Sequence, residues 1–132
     1  MPFKARFCTA LLATIIYQGP QIRSEEVCAH EGAPFVDSCF TIRGRMAAYN
    51  GAPSYRIWIV GTQRLLGVTQ NHGCVVPPAL DSLIGLDDKL VFANFVVRPV
   101  TQDEPGVMRL VCVASFSNVR TEPAYFINAP PR

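Results

Sequence analysis

The chain predicts a mainly β protein, a small five-stranded OB-like barrel with one short helix between strands 3 and 4. Three observations carry this. Its 132 residues leave room for one domain with one core. Eleven prolines and nine glycines cut it into short pieces, with no internal repeat. Segments alternating with period two fall in the order strand, strand, strand, short helix, strand, strand, which is the order of an OB-fold. A Greek-key β-sandwich is the alternative, reached if residues 20–36 or the tail supply further strands.

The first strand covers residues 39–48, CFTIRGRMAA. One face holds Phe40, Ile42, Gly44, Met46 and Ala48; the other holds Cys39, Thr41, Arg43, Arg45 and Ala47. A glycine in mid-strand marks a bend or bulge and suits a small barrel. Asn50-Gly51-Ala52-Pro53 is turn chemistry. The second strand, SYRIWIV, sets Tyr55, Ile57 and Ile59 against Arg56, Trp58 and Val60, and residues 64–68 make a third. Residues 77–85 predict a short helix, with prolines at its start and glycine at its end. The run KLVFANFVV, 89–97, is nearly all apolar and reads as a central strand. A polar turn, TQDEPG, leads into the fifth strand at 108–117.

The hairpin register follows from Pro53. Proline cannot donate to a ladder, so the loop is four residues, 50–53, and Tyr49 faces Ser54. The pairs are then Gly44 with Ile59, Arg45 with Trp58, Met46 with Ile57 and Ala47 with Arg56. A two-residue loop would instead oppose Arg45 and Arg56, which repel. In either register one face is apolar, and the other is a ribbon of Arg43, Arg45 and Arg56 around Trp58, the only tryptophan.

The N-terminus has the form of an export signal: Lys4 and Arg6, an uncharged run at 7–17, then Gln18-Gly19-Pro20. Eleven apolar residues are too few to span a bilayer, which needs about 20. An uncleaved N-terminal anchor is the alternative, because no small-x-small site lies just after Tyr17 and Val27-Cys28-Ala29, which would fit, is far away. The expected divisions are 1–23 signal or anchor, 24–36 extended lead-in, 37–119 a single β domain and 120–132 a proline-rich tail. Without 1–23 the basic residues fall from 12 to 9 against 10 acids, so the net charge moves from +2 to −1. Global charge therefore gives no argument for nucleic acid. Membrane contact is expected only through the N-terminal segment, if it stays uncleaved.

Four cysteines remain in the exported chain, Cys28, Cys39, Cys74 and Cys112, enough for up to two disulfides in any of three pairings. Cys28 and Cys74 also lie next to the only histidines, His30 and His72, a set able to close a tetrahedral zinc or soft copper site. The C-x-H and H-x-C spacings are weak metal signals, and a Cys28–Cys74 disulfide would compete. No cofactor is expected. Motifs for a nucleophile elbow, a zinc protease or a phosphate loop are missing, so no catalytic residue is named.

The candidate ligand-binding residues are Arg43, Arg45, Arg56, Trp58 and Arg64. Arginines bind carboxylate or phosphate through paired donors, and an aromatic ring stacks on sugars or bases. The expectation is an exported non-catalytic binding module for an anionic glycan, peptide or envelope polymer. Two alternatives stand: a structural or protein-interaction domain whose Arg/Trp face is covered by a partner or by residues 24–36 or the tail, and a Cys/His metal or thiol site. A plainer account of the ribbon is a cation–π pair of Arg45 on Trp58, with the other arginines solvated or paired.

Residues 39–68 and 91–119 together cover 59 of the 132 residues. Their R-G-R…Y-N-G-x-P-S-x-R-I-W-x-V-G-T-x-R-x-L-G-V pattern resembles small exported proteins of proteobacteria with no established activity. The resemblance implies compartment and domain, not mechanism. It also implies an acid at position 94 and a cysteine at position 98, where this chain has Asn94 and Arg98. On that pattern Cys112 is a free buried thiol and the disulfide count drops to one.

Overall fold

A computed structural model gives the architecture and describes residues 21–124. The predicted leader at 7–17 and the end of the tail, 125–132, lie outside the described residues. Five strands close into a ring: β1 (Phe40–Ala48), β2 (Tyr55–Ile59), β3 (Leu65–Val68), β4 (Lys89–Pro99) and β5 (Arg109–Pro123), in the spatial order β1-β2-β3-β5-β4. All contacts are antiparallel except β3 with β5. This is the five-stranded OB-type barrel. The helix falls between strands 3 and 4: α1 (Pro78–Asp81), widening into a π-type turn at Ser82–Leu86.

The hairpin has the predicted register. Gly44 pairs with Ile59, Arg45 with Trp58, Met46 with Ile57 and Ala47 with Arg56, and the Tyr49 N–H donates to the Ser54 carbonyl at 2.7 Å. Gly44 sits where the barrel wall is close to its contents. A Cβ there would run into the Ile57 side chain and lie 3.2 Å from the Trp58 carbonyl and 3.3 Å from the Phe95 ring.

The barrel is filled by Met46, Ile57, Leu66, Val68, Val91, Ala93, Phe95, Val97, Val111 and Val113, and one end is plugged by Val76, Leu80 and Ile84. The helical turn is a lid on this core, fastened by Tyr55, whose hydroxyl donates to Asp81 at 2.7 Å. Burial, the hydrogen bond and the nearby carboxylate together push the Tyr55 pKa up to about 12.

Several boundaries differ from expectation. β5 runs through Pro123, so the segment assigned to the tail begins as strand. Its outer part pairs with β4 across a bulge, where Phe92 faces Arg120 but Asn94 faces Ser117. Asn118 takes a left-handed conformation there, φ 52°, which asparagine tolerates better than most residues. The lead-in is not extended. It coils through a 3-10 turn at Ser24–Glu26 and meets the strands by one bridge, Ile22 with Cys74. A second apolar cluster, including Ile22, Val27, Cys74, Val100, Cys112 and Ala114, lies between it and the outside of β4 and β5. Arg98 holds it in place, donating to the carbonyls of Val27, His30 and Asp37 and stacking 4.5 Å from the Phe35 ring centre.

Candidate functional site

The alternation of β1 and β2 puts the Arg/Trp ribbon on the outside of the barrel, as expected, but the ribbon is not a uniform platform. Arg45 lies opposite Trp58 on β2 and Phe92 on β4. Its guanidinium carbon sits 5.0 Å from the Trp58 ring centre. Both are nearly closed off, Arg45 at 7% exposure and Trp58 at 5%. The indole N–H donates to the Thr62 carbonyl at 2.7 Å, so the turn after β2 satisfies the ring's one polar atom. The expectation that Trp58 offers an open face for a sugar or base is therefore corrected: its ring backs Arg45.

The other predicted arginines are spread around this stack. Arg43 is exposed and donates to the Asn118 carbonyl at 2.8 Å and to Asn94 Oδ1 at 3.4 Å. Arg56 donates to the Pro53 carbonyl at 3.1 Å and lies 4.9 Å from the Tyr49 ring centre. Arg120, which sequence reasoning missed, stacks 4.2 Å from the Phe92 ring centre and pairs with Glu122. Four guanidiniums thus share the outer face of β1, β2, β4 and β5, with Glu122 the one carboxylate paired to any of them. Arg120 lies beyond the strand end expected at 117, and strict alternation from Ser117 would put it on the inner face; the bulge at Asn118 returns it to the outer row beside Phe92.

Arg64 is apart from this group. It pairs with Asp103 at 2.5 Å across an open groove of about 600 Å³ between the β2–β3 turn and the β4–β5 loop. The groove is lined by Gln63, Leu65, Glu104, Val107 and Met108 among others. Both partners of the pair are about half exposed, so it contributes at most about 1 kcal/mol. The TQDEPG stretch read only as a turn supplies the facing wall.

The cysteines are engaged with one another and not with the histidines. Cys28 is bonded to Cys39, and Cys74 to Cys112. The four sulfurs are used by partners other than the histidines. His30 instead contacts the Ala33 carbonyl through Nε2 at 2.9 Å, and His72 sits in a left-handed turn position, φ 59°. No group of three or more metal-ligating side chains occurs among the described residues. The pairing also corrects the free thiol implied for Cys112. Arg98, standing where the resemblance implies cysteine, is the cross-strand partner of Cys112, while the bond itself goes to Cys74 in the loop before α1.

Fold and site together define a small disulfide-braced OB-type barrel with an arginine-rich outer face. Scanned against protein-family models, curated proteins and solved structures, the chain gives no match in any of the three. The class of the molecule thus rests on its own geometry. Two disulfides fit an oxidising compartment, and no helix of the described residues is long and apolar enough to cross a membrane.

Proposed function

We propose that this is an exported, non-catalytic interaction domain whose β1–β2–β4 outer face is a covered contact surface and not an open ligand platform. The carrying observation is the burial of Trp58 and Arg45 on a face that points away from the barrel core. Ala47 and Leu90, in the adjacent row of the same face, are also closed off, at 0% and 1% exposure, and belong to neither apolar cluster of the described residues. Export is supported by the basic-then-apolar start of the chain, by the resemblance of 39–68 to exported proteins, and by the disulfides.

Trp58 is the only tryptophan and reports on its own cover. In the intact protein its emission is expected to be blue-shifted and poorly quenched by acrylamide. Quenching as efficient as that of free tryptophan would sink this reading. The mass of the protein recovered from the exported fraction tests compartment separately, and recovery only from the cytosol counts against it.

A second reading, an anionic ligand on the same face, is favoured by Arg43 and Arg120, which reach solvent beside the stack. A sulfated glycan or polyglutamate should then bind with strong salt dependence, and Arg43→Ala should weaken it. Equal binding to Arg43→Ala and the unmodified protein would count against this second reading.

A further inference from the structure

The two disulfides sit in different surroundings. Cys74 and Cys112 are closed off, at 5% and 1% exposure, inside the second apolar cluster together with the fully buried Val27 of the lead-in. Cys28 is exposed in the lead-in coil, and Cys39, its half-buried partner, stands next to the start of β1. A thiolate must reach a disulfide sulfur to react with it, so access decides which bond is attacked first. Of the two, Cys28–Cys39 is the one a thiolate reaches without displacing the lead-in.

The contacts around Cys28 and Cys39 do not depend on the bond between them. Arg98 Nη1 donates to the carbonyls of Val27 and His30, which bracket Cys28 in the chain. Its Nε donates to the carbonyl of Asp37, two residues before Cys39. One guanidinium thus grips the backbone on both sides of the sulfur pair. Its carbon lies 4.5 Å from the Phe35 ring centre, and the Val36 N–H donates to the Pro99 carbonyl at 3.1 Å. None of these contacts uses a sulfur, so each survives when the bond is reduced. Two thiols held in this way see each other at a high effective concentration and close again readily.

We propose that Cys28–Cys39 is a reversible thiol–disulfide exchange site for a dithiol, and that Arg98 is the positioning residue that keeps its two cysteines together in the reduced state. One thiolate of the dithiol attacks the Cys28 Sγ. The bond to Cys39 breaks, and Cys39 leaves as a thiolate and takes up a proton. The second thiolate of the dithiol then attacks its own neighbouring sulfur in the mixed disulfide, and Cys28 leaves and takes up a proton. Two electrons and two protons pass to the protein, and the dithiol becomes a disulfide. The same steps in reverse re-form Cys28–Cys39. Cys74–Cys112, behind the lead-in, stays bonded throughout. The Arg/Trp face plays no part in this exchange.

The test uses the full chain with its free thiols blocked beforehand. Dithiothreitol is added, samples are alkylated at intervals, and each cysteine is assigned by peptide mass. Cys28 and Cys39 are expected to be alkylated as a pair while Cys74 and Cys112 remain bonded and Trp58 emission is unchanged. Oxidised dithiothreitol should then restore the bond in samples that were not alkylated. Simultaneous opening of both disulfides, opening of Cys74–Cys112 first, or a Trp58 shift to that of free tryptophan overturns the exchange site. The role of Arg98 is read at equilibrium. Arg98→Ala should reach half-reduction of Cys28–Cys39 at an about tenfold lower ratio of reduced to oxidised dithiothreitol, with that of Cys74–Cys112 unchanged. Arg98→Lys, which keeps the charge but not the fork of donors, should fall between the two. An unchanged ratio in both variants, or an equal shift of both disulfides as from general loss of stability, overturns the positioning role.

Discussion

Tyr55 carries a pH dependence that can be measured. Its hydroxyl fastens the lid to the barrel wall, and burial and Asp81 favour the protonated form. The folded pKa, about 12, is above the ordinary tyrosine value of 10.0. The stability this gives is fully present below the unfolded pKa and is lost as pH rises from there through the folded value. Unfolding midpoints should therefore fall across that alkaline window. Tyr55→Phe should flatten this part of the profile, and phenolate absorbance should report the late titration. An unchanged alkaline slope in Tyr55→Phe would show that another group is responsible. Gly44 makes a steric prediction at the same scale. Gly44→Ala drives a methyl into Ile57 and should cost about 1–3 kcal/mol by denaturant titration. Asp37 behaves in the opposite sense to Tyr55. Its carboxylate accepts the Ser38 N–H and then Arg109, so its pKa is lowered, and its contribution is lost as pH falls through the folded value.

At the scale of elements, the β1–β2 hairpin and the coiled lead-in are held by different forces. The hairpin joins barrel packing inside to an arginine–indole stack outside. A double-mutant cycle over Arg45→Met and Trp58→Leu should give a coupling energy of about 1–2 kcal/mol. No coupling would mean the two side chains are only neighbours. The lead-in is clamped by one side chain. Arg98→Ala removes charged donors from three backbone carbonyls and should cost about 2 kcal/mol. Amide exchange should rise in residues 27–37 and stay unchanged at Trp58. The hairpin was legible because its turn and alternation are local: Pro53 fixes the loop length, and the loop fixes every pair. The clamp was not. Arg98 meets carbonyls 61 to 71 residues away, and nothing near it in sequence announces them. The nearly continuous apolar run at 89–97 masks the period-two outer row of Leu90, Phe92, Asn94, Val96 and Arg98.

For the whole molecule, both disulfides bear on the second cluster: Cys74 and Cys112 belong to it, and Cys39 packs against it. Cys28–Cys39 closes a short loop at the lead-in, and Cys74–Cys112 joins positions 38 residues apart. On a chain-entropy account, removing the first by paired serines should cost about 3 kcal/mol and removing the second about 4. Measured stabilities in the reverse order would point to native-state packing of Cys28 and Cys39 as the larger contribution. The candidate site divides along similar lines. That Arg45 and Trp58 would stand side by side was readable from the hairpin. Their burial, and the Arg64–Asp103 groove, were not, because each depends on surfaces brought together by barrel closure.

By itself the sequence determined the number and order of elements, the hairpin register and which side of each early strand faces the core. These are short-range properties: side chains alternate every second residue, and proline, glycine and asparagine restrict the backbone where they stand. Only the tertiary structure decided which cysteines pair, what Arg98 holds, where β5 ends and whether the Arg/Trp face is open. Those depend on distances between segments far apart in the chain, and such distances exist only once β3 has met β5 and the ring has closed.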